Sequence, residues 1–171
     1  MTHAQTPAVV VLMGVSGAGK TTIGLALSKL LGWPYADADE FHPPANVAKM
    51  HAGHPLDDND RKPWLEAIAA YIDSVRAKRG HAIVSCSALR RVYRDVIVDG
   101  RADVRLVLLD GAKDEIAGRL AHRSDHFMPA SLLDSQFATL ERPGADERPI
   151  VVSIAQAPEA IAAEIARAIG A

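Results

Sequence analysis

With a single cysteine, Cys86, the chain cannot close an internal disulfide, which fits a reducing compartment and a fold held by its core. Cys86 ends the apolar run Ala82-Ile83-Val84-Ser85-Cys86 and reads as a buried, inert thiol. Aromatic residues make up only 5% of the chain, too few to stud a basic groove for nucleic acid. Neither sign of charge dominates. Nineteen Lys and Arg against 21 Asp and Glu leave a net charge of −2, so nothing at whole-chain level recruits a polyanion or an anionic membrane. The local pairs Lys78-Arg79 and Arg90-Arg91 read as solvated helix ends. Long hydrophobic runs are missing too. Ala8 to Met13 is too short for a membrane span or a signal core, and Met1 to Pro7 carries no basic segment. A soluble cytoplasmic protein, with neither nucleic acid nor membrane as partner, is expected.

What the chain does contain is an alternation of two periods. Val9 to Met13 is β-branched and bounded by glycine, the pattern of a buried parallel strand. Ile23, Leu27, Leu30 and Leu31 then recur at helical spacing from Lys20 to Leu31, and Gly32 closes the helix. Further strands are expected at 33–37, 82–86, 104–109 and 150–154. Helices are expected from about Asp60, with Pro63 in its first turn, then through Tyr93 and Val96, and from Pro158 with Ile161, Ile165 and Ile169 on one face. Strands alternating with helices imply a parallel sheet covered on both faces, in one domain spanning 1–171.

Between the first strand and the first helix lies Gly14-Val15-Ser16-Gly17-Ala18-Gly19-Lys20-Thr21, followed by Thr22. This is a complete G-x-x-x-x-G-K-[ST] phosphate loop in the strand-to-helix context that the motif requires. Its glycines let successive N–H groups point at phosphate oxygens ahead of a helix N-terminus. Lys20 is placed to neutralise charge between the β- and γ-phosphates, and Thr21 offers a hydroxyl to Mg²⁺. ATP and Mg²⁺ are the cofactors expected. The seven histidines form no H-E-x-x-H pattern and have no cysteine companions, so Mg²⁺ carried by the nucleotide is the one metal foreseen.

Asp37-Ala38-Asp39 falls at the carboxyl end of the second strand, where spacing i, i+2 projects both carboxylates to one side. One could help hold the Mg²⁺ water shell while the other takes a proton from an attacking hydroxyl. On spacing alone the pair fits an exposed acidic loop or a helix N-cap equally well. Lys49, Arg61 and Lys62 add positive charge to the same region, suited to an anionic, hydroxyl-rich small molecule. Arg119 and Arg123 share a helix face at i, i+4. With the loop beyond them, over about 119–131, they suit a helical lid whose cations close on the γ-phosphate.

The run Asp39-Glu40-Phe41-His42-Pro43, Asn46, Lys49-Met50, Gly53, Pro55-Leu56, Asp58, Asp60-Arg61, Pro63-Trp64-Leu65 resembles the signature of the gluconate kinases, within the shikimate- and nucleoside-monophosphate-kinase-like group. Cys86-Ser87-Ala88-Leu89, Tyr93-Arg94-Asp95, His126-Phe127 and Leu133, Ser135-Gln136-Phe137, Thr139-Leu140-Glu141 extend the resemblance from about Gly14 to Glu147. It implies a three-layer P-loop fold with five parallel strands ordered 2-3-1-4-5, ATP-dependent phosphorylation of D-gluconate, and a homodimer. It also implies that Asp39 deprotonates the sugar-acid hydroxyl, that His42, Lys49, Arg61, Ser87 and Arg94 line the acceptor pocket, that Asp37 assists the metal, and that Arg119 and Arg123 serve the lid. Asp125 stands where the family pattern has glycine, and Ser153 where it has an acid. A shikimate kinase would lack the His42-Pro43 and Arg61-Lys62-Pro63-Trp64 stretches. A guanine-nucleotide switch would need an N-K-x-D reader, which the chain lacks.

Overall fold

The computed structural model describes residues 5–98, 100–121 and 130–171. Its elements run β1 (Val9–Met13), α1 (Lys20–Leu31), β2 (Tyr35–Asp37), α2 (Pro44–His51), α3 (Asp58–Ala77), β3 (Ala82–Ser85), α4 (Arg91–Ile97), β4 (Val104–Asp110), α5 (Lys113–Ala121), α6 (Ala130–Thr139), β5 (Ile150–Ser153) and α7 (Pro158–Ala168). Short 3₁₀ turns occupy Ala38–Phe41 and Ala145–Glu147.

All five strands are parallel, in the order β2-β3-β1-β4-β5. β1 is central: Val9 pairs with Ala82 on one side and Val104 on the other. Each of its five residues is fully buried, as a strand with helices on both faces demands. The two-residue period divides the core. Val10 and Leu12 face a layer containing Ile23 and Leu27 of α1 and Ile161 and Ile165 of α7. Val9, Val11 and Met13 face Trp64, Leu65, Ile68 and Ile72 of α3 and Ile97 of α4. Each of these aliphatic side chains contributes roughly 1.5–3 kcal/mol by leaving water. In α1, Gly24 serves this packing: a Cβ there would stand 2.4 Å from the ring of Tyr35, whose hydroxyl lies 2.6 Å from Ser85 Oγ.

Boundaries shift where local chemistry overrides periodicity. β2 begins at Tyr35, because Trp33 turns aside to stack on His81 at 4.3 Å. α3 begins at Asp58, two residues earlier than expected, because Asp57 forms a capping box with Asp60. Pro63 therefore lies in the second turn. The carbonyl it leaves without a donor belongs to Asn59, which is exposed and can turn to water. α2 and α6 were not anticipated. Pro43-Pro44 reads as a breaker, yet Pro44 occupies the first helical position, where a missing N–H costs nothing.

Candidate active site

The carboxyl ends of β1, β2 and β3 are neighbours in the sheet and deliver three segments to one crevice, the usual ligand position in open α/β sheets. From β1 comes the phosphate loop. Gly17 and Gly19 adopt left-handed φ of 88° and 96°, the conformation that turns N–H groups inward and that a side chain resists. Gly17 has no room for one either, since a Cβ would lie 2.9 Å from Leu120. Val15 and Ala18 anchor the loop in the core, while Thr21 and Thr22 are exposed in the first turn of α1. Gly14 through Thr22 thus form one continuous cradle.

Lys20 folds back over that cradle, its Nζ donating to the carbonyls of Gly14 at 2.9 Å and Val15 at 3.1 Å. Burial lowers its pKa, and the nearby charges of Cys86, Asp39 and Asp37 oppose that shift. Burial pushes the Cys86 thiol up to about 12, so Cys86 is neutral at physiological pH. The carboxylates are therefore the anions that oppose the lowering of the Lys20 pKa.

From β2 comes the acidic pair, in a geometry unlike the extended one expected. Asp37 ends the strand and caps the 3₁₀ turn, accepting from the Asp39 N–H at 2.9 Å. Asp39 sits inside that turn and does not continue the strand. The two carboxylates still share the crevice. Asp39 opens to solvent at its mouth, yet the surrounding protein, and then the Asp37 charge, raise its pKa, against the pull of His42 and Lys20. A carboxylate of raised basicity beside a lysine suits a group that receives a proton.

Trp64 of α3 fixes this turn from beneath. It is buried and its Nε1–H donates to the carbonyl of Ala38 at 2.7 Å. The same indole stacks on His42, centroids 4.4 Å apart. Asn46, itself buried, donates through Nδ2 to the Asp60 carbonyl at 2.8 Å and faces His42 Nδ1 at 3.3 Å. That amide can only donate, so Nδ1 is the acceptor and the imidazole proton resides on Nε2. Burial lowers the His42 pKa, with Arg61 adding to the shift and Asp39 opposing it.

His42 lines a cavity of about 540 Å³ together with Arg61, Ser87, Arg90, Tyr93 and Gln136. His42, Arg61 and Ser87 thus come together as expected. Two other expected acceptor ligands do not. Lys49 is tied to Asp60 at 2.5 Å and stands off the cavity wall. Arg94 is buried, with four of its five N–H groups engaged: Nε and Nη2 donate to Glu147 at 2.7 and 3.2 Å, and Nη1 to the carbonyls of Ala88 and Leu89 at 2.9 and 3.2 Å. It braces the β3–α4 loop from behind and borders a different cavity, near Val104 at the amino end of β4. An arginine whose donors are spent on a buried carboxylate and two carbonyls is a strut.

Arg119 borders a smaller apolar cavity of about 300 Å³, with Gly17, Gly19, Thr22, Pro158 and Ile161. Its guanidinium donates to the Ile154 carbonyl and pairs with Glu115 at 3.5 Å. Nearby, Ser153 Oγ accepts from the Ala155 N–H at 3.2 Å, closing a local turn. Arg123, Asp125, His126 and Phe127 lie outside the described residues. Four contributors escaped the sequence reading as individual residues: Trp64, Arg90, Tyr93 and Gln136. The last, on α6, accepts from Ser16 N–H at 3.0 Å and Ser16 Oγ at 3.3 Å while lining the acceptor cavity. Only its place in Ser135-Gln136-Phe137 hinted at it.

As for a metal, among the described residues no three His, Cys, Asp or Glu side chains group to hold one. The Thr21 hydroxyl and the Asp37 carboxylate offer hard oxygens, the chemistry that fits an ion arriving on nucleotide phosphates. No helix among the described residues is long and apolar enough to cross a membrane.

A phosphate loop leading a 2-3-1-4-5 parallel sheet, with an acid and a polar cavity facing it, defines a small P-loop kinase, and the sequence model of the shikimate kinase family matches residues 16–169. The closer likenesses narrow this. A gluconokinase of Gluconobacter oxydans is 46% identical over 162 residues, covering 94% of this chain and 90% of its own. The thermosensitive gluconokinase of Escherichia coli K12 is 45% identical over 141 residues, covering 82% of this chain and 75% of its own. The crystal structure of a gluconokinase from Sinorhizobium meliloti superposes with a TM-score of 0.83 at 41% identity, across 96% of this chain and 92% of that one. The chain belongs to the gluconokinase family.

Proposed function

We propose that the protein transfers the γ-phosphoryl group of ATP to the 6-hydroxyl of D-gluconate, giving ADP and 6-phospho-D-gluconate. The observation that carries this reading is Asp39: a carboxylate of raised basicity, electrostatically coupled to the phosphate-loop lysine, three residues from the His42 that lines the cavity. Asp39 accepts the hydroxyl proton as the oxygen attacks the γ-phosphorus, and the bond from that phosphorus to the β–γ bridging oxygen breaks. Lys20, released from the Gly14 and Val15 carbonyls, meets the charge that grows on the departing phosphate. His42 presents its Nε2–H to an acceptor oxygen, and Arg61 meets the anionic end. Mg²⁺ at Thr21 and Asp37 would supply charge neutralisation across the β- and γ-phosphates. Arg119 and Arg123 are assigned to a lid over about 119–131, within a single kinase domain.

The proposal includes a cytoplasmic homodimer, as the family resemblance implies; sedimentation and cell fractionation test these two points. The activity itself is tested by ADP release across gluconate, other aldonates, shikimate, glycerate and nucleosides. Gluconate should give the highest kcat/KM. A preference for shikimate or for a neutral alcohol would overturn the reading.

A further inference from the structure

One wall of the acceptor cavity holds a carboxylate already. Tyr93, on α4, stands between two arginines, with the guanidinium carbons of Arg61 and Arg90 at 5.5 and 5.4 Å from its ring centroid. Its hydroxyl accepts from Arg61 Nη1 at 3.2 Å and Arg90 Nη1 at 3.5 Å, and donates to Asp58 Oδ1 at 2.9 Å. Arg90 Nη1 also reaches both Asp58 oxygens at 3.2 Å, and its Nε lies 3.7 Å from Glu141. Two guanidinium groups and a phenol therefore converge on a carboxylate inside a cavity that faces the phosphate loop.

Nothing in the fold requires Asp58 to be that carboxylate. Its side chain is 65% exposed, and the capping of α3 is done by its neighbour Asp57. Arg61, meanwhile, uses one of its five N–H groups: it bonds Tyr93, and its 3.9 Å approach to Asp58 is a loose ion pair without a hydrogen bond. A guanidinium with spare donors beside an exposed internal anion that it does not itself hydrogen-bond is prepared for an anion from outside.

We propose that the Arg61–Tyr93–Arg90 fork is the seat of the acceptor's carboxylate, that Arg90 and Tyr93 set the preference for an acid over the corresponding alcohol, and that Asp58 occupies this seat until the acceptor displaces it. The inference rests on the reading of the protein as a sugar-acid kinase and places the anionic end of that substrate. It also explains why two arginines face a site whose reacting end is a neutral hydroxyl.

The test uses the full-length enzyme and four variants. Kinetics with gluconate are set beside competitive inhibition by D-glucitol, which has a hydroxymethyl group in place of the carboxylate. Arg90→Ala should raise KM for gluconate about 10–100-fold, the factor corresponding to loss of a hydrogen bond to a charged group. It should leave KM for ATP and the inhibition constant of D-glucitol unchanged and hold kcat within about threefold. Arg90→Lys should recover part of the loss, and Tyr93→Phe should show a smaller rise. Asp58→Asn should lower KM for gluconate by removing the internal competitor. Should Arg90→Ala not fold, the Lys and Phe variants carry the same test. The seat is overturned if KM for gluconate stays at the parent value in Arg90→Ala, if D-glucitol and ATP weaken in parallel with gluconate, or if Asp58→Asn raises KM. Should the parent ignore gluconate but accept another carboxylic acid, the proposed function fails while the seat stands, tested with that acid. Acceptance of neutral alcohols alone defeats both.

Discussion

In the proposed mechanism the phosphate loop and the acceptor cavity hold anions by opposite means. The loop is one unbroken run, Gly14–Thr21, and its donors are largely backbone N–H groups aimed by two left-handed glycines. The cavity draws on the segments that follow β2 and β3 and on the helices α3, α4 and α6, and its donors are side chains set by other side chains. A backbone cradle needs few particular side chains, so its lysine, Lys20, should matter greatly. A cavity assembled from five elements should spread its dependence more evenly, and depend on residues that never touch a ligand.

The largest expected effect therefore falls on the loop. Lys20→Ala should lower kcat about 10²–10⁴-fold, the scale for removing a preorganised electrostatic stabiliser, with little loss of thermal stability. Steady-state turnover beside a melting curve measures both. Turnover close to the parent value would end the claim that one side chain dominates the loop.

Asp39 carries the most weight in the acceptor half. Asp39→Asn should still bind ATP while turnover of gluconate drops at least about 10²-fold. The parent's kcat/KM should fall on the acid side through a pKa above the ordinary aspartate range, because the protein around Asp39 and the Asp37 charge raise it. Stability should move the other way. A carboxyl whose folded pKa is raised binds more protons folded than unfolded between the two values, so stability declines as pH climbs through that window. At neutral pH the charge is a standing burden, and the Asn variant should melt no lower than the parent. An acid limb at the usual aspartate value, or a variant melting lower, would show Asp39 to be structural.

The contrast between the two halves also explains what could be read from the chain. Sheet and phosphate loop were legible because they depend on contiguous patterns: Val9 to Met13 next to the glycines, or Ile161, Ile165 and Ile169 on one helix face; the strand order, which no local pattern carries, came from the family resemblance alone. In the cavity, residue type alone pointed to Arg61, whereas His42 and Ser87 were legible only through the family resemblance. Arg94 misled because its charge is visible in sequence and its partner Glu147, 53 residues away, is not. Arg90 does stand at a helix end, at the N-cap position of α4, but its partner Asp58, 32 residues away, is equally invisible in the sequence. The extended geometry given to Asp37 and Asp39 does not hold, whereas the helix N-cap that their spacing fits equally well does, with Asp37 capping a 3₁₀ turn. That turn is stabilised by an indole from α3.

That indole allows the finest test of a spread-out site. Trp64 borders the cavity but has no assigned substrate contact in this scheme. It donates Nε1–H to the Ala38 carbonyl and supports the face of His42, thereby positioning the turn that carries Asp39 and the His42 ring at once. Trp64→Phe keeps a ring under His42 but removes the donor, leaving the Ala38 carbonyl buried without its bond, which costs about 1–3 kcal/mol of stability. The residue after that carbonyl is Asp39, so the turn should hold its base less firmly. Small displacements of a reacting group cost rate steeply, and about a tenfold fall in kcat is expected. KM for ATP should not change, since the phosphate loop takes no contact from Trp64. Trp64→Leu, which removes the ring as well, should additionally raise KM for gluconate by releasing His42. Full turnover in a destabilised Trp64→Phe would make the tryptophan a core residue and nothing more. An equal loss in ATP affinity would mean that the two halves of the site are not separable in the way their construction suggests.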